Sequence, residues 1–161
     1  MSIKVTCDAF EDGQRIPIRY TKEGENCSPP LRFENIPAGT KELAIICDDP
    51  DAPRAEPFVH WVAYHIPADC AMLPEGIPQN PVARFNGGAD EIAQGDNSFH
   101  DAGYDGPMPP RGHGLHHYHF KVYALDQPLQ VQPHLDNKAL IASMSGHILD
   151  VGEIVGVYER K

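Results

Sequence analysis

Between His116 and Leu125 the chain alternates in a way that defines two faces. His116, Tyr118, Phe120, Val122 and Ala124 fall on one and His117, His119, Lys121, Tyr123 and Leu125 on the other, which predicts a strand. Phe58 to Ile66 predicts another, with Phe58, His60, Val62, Tyr64 and Ile66 sharing a face opposite Val59, Trp61, Ala63 and His65. Leu43-Ala-Ile-Ile-Cys47 is a continuous apolar run instead, the pattern of a strand buried on both faces. Shorter segments predict strands at residues 3–6, at Leu31 to Phe33 and at Glu153 to Arg160. Arg15 to Tyr20, where Ile16 and Ile18 alternate with Pro17 and Arg19 after an Asp12-Gly13 turn, predicts one more. One helix is expected, with Asp136 as its N-cap, running to about Ile148 on a stripe of Leu140, Ile141, Met144 and Ile148.

The remaining stretches lack a period. Residues 21–30 end in two prolines and read as a loop, and residues 67–83, with prolines at 67, 74, 78 and 81, read as a connection over the surface. Asn86 to Gly114 is rich in Gly, Asp, Asn and Pro, and so long an irregular stretch in a compact domain tends to be functional or mobile. Its last part, with glycines at 103, 106, 112 and 114 and prolines at 107, 109 and 110, is a stiff loop that delivers His116 and Tyr118 together at the mouth of a strand. Sixteen prolines and 14 glycines in 161 residues imply many turns and few long helices, so a mainly β fold in one domain spanning 1–161 is expected, without repeat or linker.

Thirteen Lys and Arg against 23 Asp and Glu give a net charge of −10, which argues against nucleic acid and against an anionic membrane surface as partners. Cys7, Cys27, Cys47 and Cys70 are scattered without a metal-binding or disulfide pattern, so four free thiols are expected. No apolar run has signal-peptide or membrane-span length, and a cytoplasmic location is the expectation.

The candidate chemistry is concentrated in two places. Asp48-Asp-Pro-Asp-Ala-Pro53 sets three carboxylates directly after a buried strand, which fits an acidic turn capping backbone N–H groups or a site. His60, among large apolar groups, reads first as a hydrogen-bonded core histidine and second as a ligand-binding one. His113, His116, His117 and His119 lie within seven residues, but no carboxylate or thiol follows at ligand spacing, so neither a metal nor another cofactor is expected. Ser98, Ser143 and Ser145 lie outside any nucleophile motif, and no phosphate-cradling loop is present. What remains is a pocket of imidazoles, a phenol and carboxylates. An imidazole held by a carboxylate keeps its proton more readily and, with a Tyr hydroxyl, offers charge-assisted donors to a phosphate or carboxylate.

Asp49-Pro-Asp-Ala-Pro53, His60 and Gly112-His-Gly-Leu-His-His-Tyr118, in that order, resemble the motifs of the phosphatidylethanolamine-binding protein family, also called the Raf kinase inhibitor protein family, in its bacterial and archaeal branch. The resemblance runs from Asn26-Cys-Ser-Pro-Pro30 through Gly103-Tyr-Asp-Gly106 to Glu153-Ile-Val-Gly-Val-Tyr158. It implies an antiparallel Greek-key β-sandwich with peripheral helices and an anion pocket formed by Asp49, Asp51, His60, Pro110, His116 and Tyr118. The second motif often reads G-x-H-R, whereas His117 follows His116 here, which removes a permanent charge from the rim. The resemblance implies a non-enzymatic binding protein for a small phosphorylated or anionic ligand. The other readings are a kinase or protease inhibitor acting through protein contact, and a hydrolase using Asp–His pairs as acid and base. A homodimer is compatible with each.

Overall fold

A computed structural model describes residues 2–161, leaving Met1 of the expected 1–161 domain outside the described residues. Nine strands and one α-helix follow one another as β1 Lys4–Cys7, β2 Leu31–Glu34, β3 Glu42–Asp49, β4 Phe58–Pro67, β5 Met72–Leu73, β6 Val82–Phe85, β7 Asp90–Gln94, β8 His116–Leu125, α1 Asn137–Met144 and β9 Ile148–Tyr158. All strand pairings are antiparallel and form two sheets, a small one ordered β1-β2-β5 and a large one ordered β6-β7-β4-β3-β8-β9. The expected sandwich is present. Its core lies between the sheets, where Val5, Leu31, Phe33 and Leu73 of the small sheet meet Ile45, Cys47, Trp61, Phe120, Val122 and Ile154 of the large one.

Local pattern explains most of this. Every residue of β3 is buried, as its unbroken apolar run requires, because β4 and β8 flank it and layers cover both faces. In β8 the even positions from His116 to Ala124 are buried and the odd ones from His117 to Tyr123 are open or half-open, as the alternation predicts. The other face of the large sheet is covered by α1, whose Leu140 and Met144 pack with Ala44, Ile46, Val59, Val62 and Tyr64.

Besides β9, which runs Ile148–Tyr158 where Glu153 to Arg160 was expected, five segments differ from the sequence reading. Residues 15–20 are not a strand. Arg15 makes a single bridge to Val157, the chain then forms a one-turn 3-10 helix over Ile18–Tyr20, and Ile18 points outward. The connection at 67–83 is not confined to the surface, since it contributes β5, and Leu73 and Ile77 are buried. The irregular stretch begins later than Asn86, because Asn86–Gly88 is the turn of a β6–β7 hairpin. The helix stops at Met144, where Ser145 leaves helical backbone and Gly146 takes φ 82°, so Ile148 falls in β9 instead, and Ile141, though helical, lies on the exposed face. Its N-cap is the expected one, the Asp136 carboxylate accepting from the Ala139 N–H at 2.9 Å.

The fifth difference positions the site. The register of β4 against β3 steps from Leu43↔Ile66 to Ile45↔Ala63 and again from Cys47↔Trp61 to Asp48↔Val59, so β4 carries an extra residue at each of two bulges. Simple alternation therefore fails. Val62 and Tyr64 join Val59 under the helix, Trp61, Ala63 and Ile66 enter the core between the sheets, and His60, skipped by the pairing, is aimed separately. No helix among the described residues is long and apolar enough to cross a membrane.

Candidate functional site

The end of β3, the start of β4 and the start of β8 lie side by side, because β3 runs antiparallel to both neighbours and Asp48 pairs with Val59 on one side and His119 on the other. Over this edge the loop between β7 and β8 folds back. Ser98 N–H donates to the Val59 carbonyl and the Val59 N–H to Ser98 Oγ, both at 2.8 Å, while the Asp105 N–H donates to the His60 carbonyl at 3.0 Å. Strand ends and loop enclose a cavity of about 270 Å³ lined by Asp49, His60, His116, Tyr118, Phe58 and Phe99, with Arg54 and the Met108-Pro-Pro110 segment at its rim. A larger hollow of about 490 Å³ beside Gln127, Leu129 and Ser143 has no titratable group in its lining.

The polar groups fall into two sets. Asp49 and His116 are mutually satisfied: Asp49 Oδ2 meets His116 Nδ1 at 2.6 Å, and Asp49 Oδ1 accepts from the Asp51 N–H at 2.8 Å. The carboxylate holds and orients the imidazole, as the sequence reading supposed. Two other groups have no partner among the described residues. The Tyr118 hydroxyl makes no hydrogen bond although Tyr118 is only 1 % exposed, and His60 uses only Nδ1, 2.7 Å from the Asp105 carbonyl oxygen. Neither the hydroxyl nor His60 Nε2 is sealed from solvent, so both open on the cavity that these residues line. Burial holds the His60 imidazole below its ordinary pKa despite the Asp105 and Gly106 carbonyls and the Asp49 and Asp105 charges, and burial likewise pushes the Tyr118 phenol up. Both are neutral at pH 7.

Five of the six expected residues, Asp49, His60, Pro110, His116 and Tyr118, come together in this lining. Asp51 does not. Its Oδ2 accepts from both the backbone N–H and Nδ1 of His117, each at 2.8 Å, so it clamps the turn after β3 to the start of β8 from outside the cavity. Burial raises the Asp51 carboxyl, but the two His117 hydrogen bonds outweigh it and leave it below the usual range. His117 is thus committed to Asp51, and the permanent charge missing from this position comes from another segment. Arg54, its guanidinium 5.4 Å from the Phe58 ring centre, lines the cavity and makes no ion pair among the described residues. Sequence reasoning missed Arg54, Phe58 and Phe99, which no spacing connects to the second motif.

One contact changes the role expected of His116. Its Nε2, the atom expected to meet a ligand, lies 2.6 Å from Nδ1 of His113, an exposed residue outside the cavity lining. A single proton bridges these two nitrogens, so His116 can donate to a ligand only when His113 turns away. His113→Ala should therefore tighten binding of inorganic phosphate by about two- to ten-fold, the worth of one ordinary hydrogen bond. Calorimetry on the two proteins reads this, and weaker binding in the variant would show that His113 assists the ligand.

Residues 6–159 match the family model described as phosphatidylethanolamine-binding protein. A UPF0098 protein from Pyrococcus horikoshii is 48% identical over 164 residues, covering 100% of this chain and 78% of that one. Among solved structures, Escherichia coli YbcL, described as a new member of the mammalian family, superposes with a TM-score of 0.89 at 30% identity over 100% of both chains. A phosphatidylethanolamine-binding protein homolog from Chlamydia trachomatis gives 0.86 at 33% identity over 99% of both.

Proposed function

Because this chain belongs to the phosphatidylethanolamine-binding protein family, we propose that it is a binding protein that holds a small phosphorylated group in the cavity between Tyr118, His60, His116 and Arg54, without chemical turnover. The observation that carries this reading is the Tyr118 hydroxyl, which has no hydrogen-bond partner among the described residues and opens on the cavity that Tyr118 lines. A hydroxyl that opens on the cavity with no acceptor of its own is free to donate to an anionic oxygen, a hydrogen bond worth about 1.5–3 kcal/mol. Arg54 supplies long-range attraction that offsets the net charge of −10 locally. A cavity of about 270 Å³ fits a headgroup-sized ligand, being at the small end of the roughly 300–1,000 Å³ usual for drug-sized ones.

The geometry argues against His116 as a general base. A base must offer a free nitrogen to water, whereas both ring nitrogens of His116 are engaged, by Asp49 and by His113. The test is Tyr118→Phe, which removes one oxygen from a site that stays filled. Inorganic phosphate binding at pH 6 should weaken about ten-fold or more, the worth of a hydrogen bond to a charged group. Equal affinities by calorimetry would remove this pocket as the site, and release of product from a phosphate ester at a rate sensitive to His116→Ala would overturn the non-enzymatic reading.

A further inference from the structure

His60 presents to the cavity an acceptor rather than a donor. A carbonyl oxygen can only accept, so the 2.7 Å contact with the Asp105 carbonyl fixes the ring proton on Nδ1. That carbonyl is held in place, because the N–H of the same peptide unit, that of Gly106, donates to Asn26 Oδ1 at 2.7 Å. The ring is walled by Phe58, Phe99 and Tyr118, with centres 5.2, 5.8 and 5.1 Å away. It is 3 % exposed, and burial keeps it uncharged. Nε2 is therefore a bare lone pair at the inner end of the cavity. An anion site built only to attract charge would have a donor there.

Resting on the pocket reading above, we propose that the cavity selects the singly protonated form of a phosphate monoester, whose P–OH donates to His60 Nε2 while its unprotonated oxygens accept from Tyr118. Fully ionised oxyanions and phosphodiesters lack the P–OH and place an oxygen lone pair against the Nε2 lone pair. Sulfate is the nearest such competitor. The surrounding charges favour the same choice. Asp49 on β3 and Asp105 behind the ring are both within electrostatic reach of His60, His116 and Tyr118 face it from β8, Arg54 stands at the rim, and Lys22 sits over Phe99 at 4.3 Å with its charge directed to Asp105 at 3.3 Å. Two buried carboxylates near one acceptor favour a monoanion over a dianion. If the proton moves from the phosphate to Nε2 in the complex, the proton count is unchanged and so is the pH dependence.

The test compares ligands on the unmodified protein, which keeps it independent of any variant's folding. Calorimetry would be run from mildly acidic to mildly alkaline pH with methyl phosphate, methylphosphonate, dimethyl phosphate and sulfate. Methyl phosphate affinity should be level below the ligand's second ionisation, near 6 for phosphate monoesters, and fall about ten-fold per pH unit above it. The break should move upward with methylphosphonate, whose second ionisation is higher. A break set by a histidine of the protein would stay in place for both. At the acidic end, sulfate and dimethyl phosphate should bind at least about ten-fold more weakly than methyl phosphate. A break that ignores the ligand, or sulfate binding as tightly as methyl phosphate, overturns this selectivity and leaves the pocket in place so long as Tyr118→Phe still weakens binding. No binding by any of the four removes the pocket reading and the selectivity together.

Discussion

Asp105→Ala should cost about 3–5 kcal/mol of unfolding free energy, read as a fall in the urea midpoint, although Asp105 is not in the cavity lining. Its carboxylate is buried at 1 % exposure and accepts from four side chains carried by separate parts of the chain. Oδ1 accepts from Asn26 Nδ2 at 2.8 Å, Gln79 Nε2 at 3.0 Å and Lys22 Nζ at 3.3 Å, and Oδ2 from Asn97 Nδ2 at 3.0 Å. Alanine would take one acceptor from each of three amides, of which Gln79 Nε2 keeps the Tyr104 carbonyl and Asn97 Nδ2 the Gly103 carbonyl, and from the partly exposed Lys22 ammonium, and each buried N–H left without a partner costs about 1–3 kcal/mol before relaxation. Relaxation is what brings the total down to the stated range. Asp105→Asn keeps one acceptor oxygen but turns an N–H₂ toward other donors, so it should fall between wild type and alanine.

The pH dependence of that loss has a definite sign. Burial raises the Asp105 carboxyl, but the neighbouring Asp101 carboxyl and the hydrogen bonds from Asn26, Asn97 and Gln79 outweigh burial and hold it below its ordinary value. A carboxyl lowered in the folded state contributes in full above its unfolded pKa, about 3.9, and loses that contribution as pH falls through the folded value. The gap between wild type and Asp105→Ala should thus be widest near neutrality and narrow below about pH 4. Asp101, raised chiefly by its hydrogen bond to Asp105, works in the opposite sense and makes the narrowing gradual. A gap that widened on acidification would mean that Asp105 is protonated in the native protein.

How much of this was legible in the sequence depends on whether one strand's pattern sufficed. β8 could be read residue by residue, because one of its faces meets the core and the other is open. β3 could be read because both of its faces are covered. β4 could not, since two bulges that exist only in its pairing with β3 re-aim His60 and exchange the faces of the residues beyond it. The β6–β7 hairpin carries a turn signal in its sequence, Asn86-Gly-Gly88, which takes φ 54°, 69° and 90° between short segments whose Ala83, Phe85, Ile92 and Gln94 are buried. In residues 15–20 alternation misled, because Ile16 is buried against Gly156 while Ile18 faces solvent.

The site divides in the same way. The family resemblance implies Asp49, His60, Pro110, His116 and Tyr118, which the lining contains, and also Asp51, which the fold uses as a clamp on His117 outside the pocket. It could not show that His116 is capped by His113, or that Asp105 sets the tautomer of His60. Those contacts join segments 3 and 45 residues apart through loops without a period.

Gly106→Ala should cost about 3 kcal/mol and weaken phosphate binding in the same protein, by a route that leaves every polar partner in place. A Cβ at Gly106 would sit 2.3 Å from the Tyr20 carbonyl oxygen and 2.8 Å from Thr21 Cα, both backbone atoms that no side-chain rotation can clear. The loop must therefore lift from the 20–27 segment. That movement strains the Gly106 N–H to Asn26 Oδ1 bond at 2.7 Å and, through the same Asn26, the contact to Asp105 at 2.8 Å. It also draws on the Asp105 carbonyl that holds His60 and on Met108-Pro-Pro110 at the cavity rim, which is why binding should fall along with stability. Since both substitutions undo one docking contact, Asp105→Ala combined with Gly106→Ala should cost less than the sum of the two by about 1 kcal/mol or more. Urea midpoints of the four proteins of this cycle measure the coupling. Strict additivity would show that the loop docks through independent contacts, and a Gly106→Ala midpoint equal to wild type would show that the Tyr20–Thr21 backbone yields to it.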